Sequence, residues 1–299
     1  MKPLIFAGRS HPHFAQALAS TLSSTLARRE IHPYSDGETY VRILEPSPCV
    51  CASKIGIVQT GCSPVHDHVV ELLLLADAIK KMGAPSITAI MPFLPYRRQE
   101  HIHEEGEGIG GELMMKLCKT AGITDILTAD LHHVSFTKFF GNKLKEISAL
   151  TLFVAYFKPF THHTVIVSPD EGGIARAEML AQALQIPMFH IAKKRLRHDK
   201  VEIRRFRHTM SFRRAIIVDD EINTGGTIIS CAHALHAQGI RDIRVAATHG
   251  IFSGRAIPLL KKSPIREIIV TDTIPLSPEK KSPSIKTLSI VPLFAKMLQ

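Results

Sequence analysis

The segment Ala215–Ile228, AIIVDDEINTGGTI, carries the residues whose types and spacing promise chemistry. Its continuous apolar run predicts a buried parallel strand over Ala215–Val218. The run ends in Asp219, Asp220 and Glu221, and Asn223-Thr224-Gly225-Gly226-Thr227 then leads into a helix. Successive backbone N–H groups in such a loop, at a helix N-terminus, form a nest for a phosphate. Glycine lets the backbone approach closely, and threonine hydroxyls add donors. Adjacent carboxylates at a strand end suit sugar hydroxyls or a metal and suit a phosphate poorly. The combination reads as a sugar-phosphate site. A plain strand–turn–helix with an acidic N-cap explains a lone Gly-Gly turn equally well, but the whole string is more specific.

Charge points the same way. The chain of 299 residues carries 37 Lys and Arg against 27 Asp and Glu, a net +10. That balance suits an anionic partner: a nucleic acid, a membrane surface or a phosphorylated metabolite. Basic residues cluster in Lys193–Arg214, which holds Lys193, Lys194, Arg195, Arg197, Lys200, Arg204, Arg205, Arg207, Arg213 and Arg214. A basic hairpin on a solvated face is the bland reading of that cluster.

These residues need a frame to hold them. Apolar residues make up 45% of the chain, which excludes a disordered or fibrous protein. The longest apolar stretch, Val69–Ile79, contains Glu71 and Asp77 and is too short and too charged to span a bilayer. The five cysteines form no CxxC pair, so neither a disulfide framework nor a zinc site is expected. With no signal peptide in Met1–Phe14, the cytoplasm is the expected location. Strands are predicted at Leu4–Ala7, Ile55–Gln59, Ile87–Met91, Ile126–Ala129, Val165–Val167, Ala215–Val218, Ile243–Ala247 and Glu267–Val270. Helical patterns cover Pro64–Met82, Gly111–Ala121, Ile174–Leu184 and Thr227–Gln238. The alternation predicts parallel sheets flanked by helices. Gly108–His132 and Asn223–His249 read as copies: Gly-Gly, amphipathic helix, Gly-Ile-x-Asp-Ile, apolar strand, His. Two similar α/β domains are therefore expected, 1–145 and 146–299. A Pro/Ser/Lys-rich loop, Ser277–Ser284, precedes a closing strand and helix that are free to pack back on the first domain.

The Ala215–Ile228 string closely resembles the phosphoribosyl-diphosphate (PRPP) loop of the type I phosphoribosyltransferase fold. Further segments narrow the resemblance to the ribose-phosphate pyrophosphokinase family. Tyr34-Ser-Asp-Gly-Glu38 is similar to its FSDGE segment and Pro95-Tyr-Arg-Arg-Gln-Glu100 to its YARQD segment. Asp130-Leu-His132 with Phe139-Phe140 resembles DLH…GFF. Ser168-Pro-Asp-Glu-Gly-Gly173 with Arg176-Ala177 resembles SPDxGGxxRA, and Lys193-Lys-Arg195 resembles KRR. Order and spacing hold from about Leu4 to the C-terminus.

The resemblance implies a type I phosphoribosyltransferase-like α/β fold with its active site between two domains. It implies the reaction ATP + ribose 5-phosphate → AMP + PRPP, with Mg²⁺. Tyr34 would stack the adenine, beside Gly37, with Asp36 and Glu38 accepting from its amino group. Arg98 and Gln99 would hold ATP phosphates. Asp219 and Asp220 would hold ribose hydroxyls, directly or through metal, and Asn223, Thr224, Gly225, Gly226 and Thr227 the 5-phosphate, with help from Arg195. His132 and Asp170 would be Mg²⁺ ligands. Lys193 and Arg195 would stabilise charge in the transition state. ATP and ribose 5-phosphate are the expected partners, with no nucleic acid or membrane, in a homo-oligomer (dimer or hexamer).

Some residues depart from the pattern. Asn223 stands where the PRPP loop commonly has Asp, Lys194 replaces the middle Arg of KRR, and Ser135-Phe-Thr-Lys138 replaces QIQG. Rival readings stay open: a phosphoribosyltransferase, a catalytically silent regulatory member of the family, or a nucleic-acid-binding regulator on this fold. Gly106-Glu-Gly-Ile-Gly-Gly111 also satisfies GxGxxG, but charged Arg97–Glu105 intervenes where a Rossmann loop must follow its strand at once.

Overall fold

Short, mostly apolar runs build the first sheet of the computed structural model, which describes residues 3–131, 136–190 and 212–299. β1 (Leu4–Ala7) leads through α1 (Pro12–Thr21) to an antiparallel hairpin, β2 (Arg29–Pro33) and β3 (Thr39–Ile43). α2 (Ser47–Cys51), β4 (Ile55–Val58), α3 (Val65–Lys81) and β5 (Ile87–Met91) follow, then α4 (Gly110–Ala121), β6 (Asp125–Ala129), α5 (Phe136–Phe140) and β7 (Leu144–Ile147). The sheet order is β1-β4-β5-β6-β7, every pair parallel. Each new strand after β1 is added on the same side. α3 shows why this side of the molecule folds: Leu72, Leu75, Ala76 and Ile79 recur at helical spacing and are fully buried. Phe6, Ile57, Met115, Ile126 and Phe136 complete that core.

The second sheet is built likewise from α6 (Leu150–Phe157), β8 (Thr164–Ser168), α7 (Ile174–Leu184), β9 (Met188–His190), β10 (Arg214–Ile222), α8 (Gly226–Ala237), β11 (Asp242–Gly250), α9 (Ala256–Lys261), β12 (Ile265–Thr271) and β13 (Ile285–Leu288). Its order is β13-β12-β11-β10-β8-β9, again all parallel. Val165, Ile217, Leu235, Val245, Phe252 and Val270 form its core. Charge ties the N-terminal ends of these strands to the end of α6. Arg214 and Arg244 share Asp242 at 2.6 and 3.1 Å, Arg244 also meets Glu267 at 2.7 Å, and both guanidinium groups lie over the Phe160 ring. Burial opposes ionisation of Asp242, but hydrogen bonds from Arg214 and Arg244 outweigh it and hold the carboxyl below its usual range.

The chain closes with α10 (Val291–Leu298), whose Phe294 meets Phe14 of α1 edge-on at 5.3 Å between ring centres. By contacts the chain divides into two units: Met1–Ile147 with Thr273–Pro275 and Ser289–Gln299, and Ser148–Asp272 with Leu276–Leu288. All eight predicted strands and all four predicted helices are present. The hairpin β2–β3, β7 and β9 are additions, and β10 and β11 outrun their predicted ends. No helix of the described residues is long and apolar enough to cross a membrane.

Candidate active site

In the second unit the strand order turns back at β8, with β9 on one side and β10 on the other. Loops leaving the C-terminal ends of two such strands diverge and open a crevice, the usual ligand position in an open α/β sheet. The loops leaving β8 and β10 contain the SPDEGG and NTGG residues. Ser168 Oγ donates to the Asp170 carbonyl at 2.7 Å, and the Gly173 N–H donates to Asp170 Oδ1 at 3.1 Å. Asp170 thus shapes the turn into α7. A Cβ on Gly173 would lie 2.8 Å from Ser168 Oγ, so the turn leaves no room for a side chain there.

β10 does not stop at Val218. β11 runs alongside it to Ile222, pairing Asp219 with Ala247 and Glu221 with His249. The three acids are therefore strand residues, with side chains alternating between faces. Asp220 and Glu221 are buried and Asp219 is half-buried. Burial pushes the Asp219 carboxyl up to about 8, helped by the charge and hydrogen bond of Asp220 and then by the charge of Asp170. Arg176 of α7 brings a guanidinium nitrogen to 3.8 Å from Asp220 Oδ1. Arg176 lies in the SPDxGGxxRA-like motif, and its approach to Asp220 emerges only with the fold.

A carboxyl crowded by neighbouring acids, as Asp219 is, also favours a cation. Mg²⁺ takes one or two protein carboxylates and fills its shell with water and substrate phosphates. Among the described residues, no group of three or more His, Cys, Asp or Glu encloses a metal unaided.

Beyond β10 the loop is three residues long, Asn223–Gly225. Asn223 accepts from the Ser253 N–H through its carbonyl at 2.9 Å, which anchors the loop. Gly225 takes φ +79°, a left-handed conformation that favours glycine, and stands at the N-cap of α8. No side chain caps the start of α8, and an uncapped first turn is the kind of helix end that suits an anion. Thr224 and Gly226 are exposed beside them.

The other predicted residues lie in the first unit. Tyr34–Glu38 is the hairpin turn between β2 and β3. Tyr34 N–H donates to the Glu38 carbonyl at 2.7 Å, Gly37 N–H to the Tyr34 carbonyl at 3.0 Å, and Glu38 N–H to Asp36 Oδ1 at 3.1 Å; Gly37 has φ +94°. Tyr34 is 49% exposed and packs edge-on against Tyr40, which stacks on His32 at 4.7 Å. Arg98 and Gln99 are exposed on the loop after β5. Gly111 N–H donates to the Gln99 carbonyl at 2.9 Å, which ties that loop to the start of α4. The GEGIGG string falls at the far end of the same loop, and residues 92–109 separate β5 from α4, so no dinucleotide turn forms. His132, Lys193, Lys194 and Arg195 lie outside the described residues.

Comparison with known proteins covers nearly the whole chain. Residues 3–122 match the family model described as the N-terminal domain of ribose phosphate pyrophosphokinase. Residues 208–299 match the phosphoribosyl synthetase-associated domain. The ribose-phosphate pyrophosphokinase of Caldanaerobacter subterraneus subsp. tengcongensis is 37% identical, over 98% of this chain and 93% of that protein. The enzyme of that name from Bacillus subtilis is 34% identical over 98% and 92%. The crystal structure of phosphoribosylpyrophosphate synthetase from Mycobacterium smegmatis superposes with a TM-score of 0.90 at 33% identity, covering 100% of this chain and 98% of that one.

Proposed function

This chain belongs to the ribose-phosphate pyrophosphokinase family, and from that premise we propose how its residues transfer the pyrophosphoryl group of ATP to ribose 5-phosphate. The anomeric hydroxyl attacks the β-phosphorus. The bond from that phosphorus to the oxygen bridging the α-phosphate breaks, AMP leaves with that oxygen, and the hydroxyl proton passes to solvent. The products are AMP and PRPP. Little covalent chemistry is asked of the protein, so positioning and charge carry the rate.

In the second unit, Asp219 and Asp220 accept hydrogen bonds from the ribose hydroxyls. The 5-phosphate sits on the N–H groups at the start of α8, with the Thr224 and Thr227 hydroxyls and Asn223 completing its shell. Arg176 offsets the charge of Asp220 so that the acids can share one crevice. Asp170 is assigned to Mg²⁺ with His132; a bound Mg²⁺ would draw charge from the phosphoryl oxygens. In the first unit, Arg98 and Gln99 are assigned to the ATP phosphates and Tyr34 to the adenine face. Asp36 already accepts from the turn's own backbone, so Glu38 is the better acceptor for the adenine amino group. Lys193 and Arg195 are assigned to the charge that builds on the transferring group.

The observation that carries this division is the end of β10, where carboxylates for a sugar, Asp219 and Asp220, run directly into the helix start for a phosphate, beside the end of β8. ATP labelled at the β-phosphorus tests it. Label should reach the sugar only when ATP, ribose 5-phosphate and Mg²⁺ are all present, with AMP formed in equal amount. Label that never reaches the sugar across metals and phosphate concentrations overturns the enzyme reading.

A further inference from the structure

Arg97 has no part in the roles assigned above, yet it is among the most buried charged residues of the first unit, at 2% exposure. A guanidinium cannot shed its charge, so a buried one must have its donors paired and its face covered. Its Nη1 donates to the carbonyl of Asp130 at 2.9 Å, and its carbon lies 5.1 Å from the centre of the Phe93 ring. Phe93 follows β5 and Asp130 follows β6, so one side chain bridges the C-terminal ends of two neighbouring strands.

The carbonyl it grips belongs to an unusual residue. Asp130 has φ +28°, outside the range an L-residue prefers. Such a conformation persists where the surroundings over-determine it. Asp130 N–H donates to the Ile147 carbonyl at 3.0 Å and Leu131 N–H to Glu146 Oε1 at 2.7 Å. Arg97 adds a hold on the Asp130 carbonyl. Arg97 also directly precedes Arg98 and Gln99, so whatever fixes it fixes the root of that loop.

We propose that Arg97 is a positioning residue: by pinning the Asp130 carbonyl and covering Phe93, it sets the loop that carries Arg98 and Gln99 against the turn after β6. This rests on the assignment of Arg98 and Gln99 to ATP. A lysine would keep the charge and lose the planar fork that holds carbonyl and ring together.

Steady-state kinetics of Arg97→Lys, Arg97→Ala and Arg98→Ala, with hydrogen exchange of the Asp130 and Leu131 amides, decide the matter. Both Arg97 variants should raise KM for ATP about tenfold, leave KM for ribose 5-phosphate within about twofold, and speed exchange at Asp130 and Leu131. A variant that only lowers the melting temperature, with both KM values unchanged or changed alike, makes Arg97 a structural strut and overturns the proposal. Loss of ATP affinity in Arg98→Ala alone also overturns it and leaves the ATP loop standing. Loss in none of the three removes the ATP assignment and the proposal with it. Should Arg97→Ala fail to fold, Arg97→Lys carries the same outcomes.

Discussion

β5–α4–β6 and β10–α8–β11 are built alike and used differently. Each runs from a buried strand to a helix of 12 residues, then through a left-handed glycine, Gly122 at φ +99° or Gly239 at +94°, into the next parallel strand. They part at the loop between strand and helix. Residues 92–109 fill it in the first module and Asn223–Gly225 in the second. In the long loop, function is assigned to side chains, and the glycines of α4 serve packing: a Cβ on Gly111 would lie 2.6 Å from the Phe136 ring. In the short loop, side chains give way to backbone, and Gly225 turns the chain so that helix N–H groups are presented. The loop that leads into a helix thus decides whether its first N–H groups are open to a ligand, as the phosphate assignment of α8 requires.

The sharpest way to break the comparison is to put a side chain at the bend of each loop. Gly225→Val forces a β-branched residue into φ +79°. It should lower kcat/KM for ribose 5-phosphate more than about a hundredfold, or roughly 3 kcal/mol. Gly106 in the long loop has φ +93° with open space around it, and Gly106→Ala should cost less than about threefold in the same constant. Similar losses in both would end the distinction.

The acids on β10 give the next largest effect. Burial, with the neighbouring acids, pushes the Asp219 carboxyl up from 3.8 to about 8. The folded state holds this proton more tightly, so the group's contribution to stability is complete below pH 3.8 and is lost as pH rises towards 8. Asp219→Asn should cost about a hundredfold in turnover. In metal-free buffer it should also raise the melting temperature, by about 3 °C or more at pH 8 and by less at pH 5. A melting temperature unchanged across that range refutes the crowding of these acids.

Asn223 sharpens the comparison at smaller scale. An amide both donates and accepts, and the carboxyl groups of Asp219, Asp220 and Glu221 already stand nearby in β10. Asn223→Asp should change turnover by less than about tenfold, or roughly 1.4 kcal/mol. A silent parent protein rescued by this change would mark the chain as a regulatory family member.

The smallest effect concerns one methyl group. Thr128 of β6 is fully buried, and its hydroxyl is the buried side-chain group without a hydrogen-bond partner among the described residues. Its counterpart in the second module is Val245. Thr128→Val should raise stability to urea by about 0.5–1 kcal/mol and leave turnover unchanged. Destabilisation would mean that the hydroxyl is satisfied in solution.

Much of this was legible in residue order. Continuous apolar runs marked every strand buried on both faces, and Ile174–Leu184 is helical over its whole predicted length. The hairpin β2–β3 was hidden because Arg29-Glu-Ile-His-Pro33 is mostly polar and exposed. β7 was hidden because Leu144-Lys-Glu-Ile147 has two exposed central residues and lies at a sheet edge. The acids of β10 looked like loop residues because nothing local says that β11 continues beside them. The reversal of strand order at β8 is a long-range fact with no local signature, and with it the crevice. Arg97 was passed over because an arginine beside an arginine carries no mark of burial.

The closing segment of the chain has a consequence in time. Phe14 packs on Phe294, and Thr60 donates through its hydroxyl to the carbonyl of Thr273 at 2.7 Å. Both partners belong to the first unit, though the second unit's strands are synthesised between them. A ribosome making this protein therefore releases the first sheet long before the helix that covers α1 exists. Until α10 emerges, Phe14 of α1 lacks the partner that meets it edge-on. The order of synthesis thus runs against the order of packing, and contacts this distant in sequence form slowly. Nascent chains stopped before Ser289 are where helpers that bind exposed apolar surface should be found.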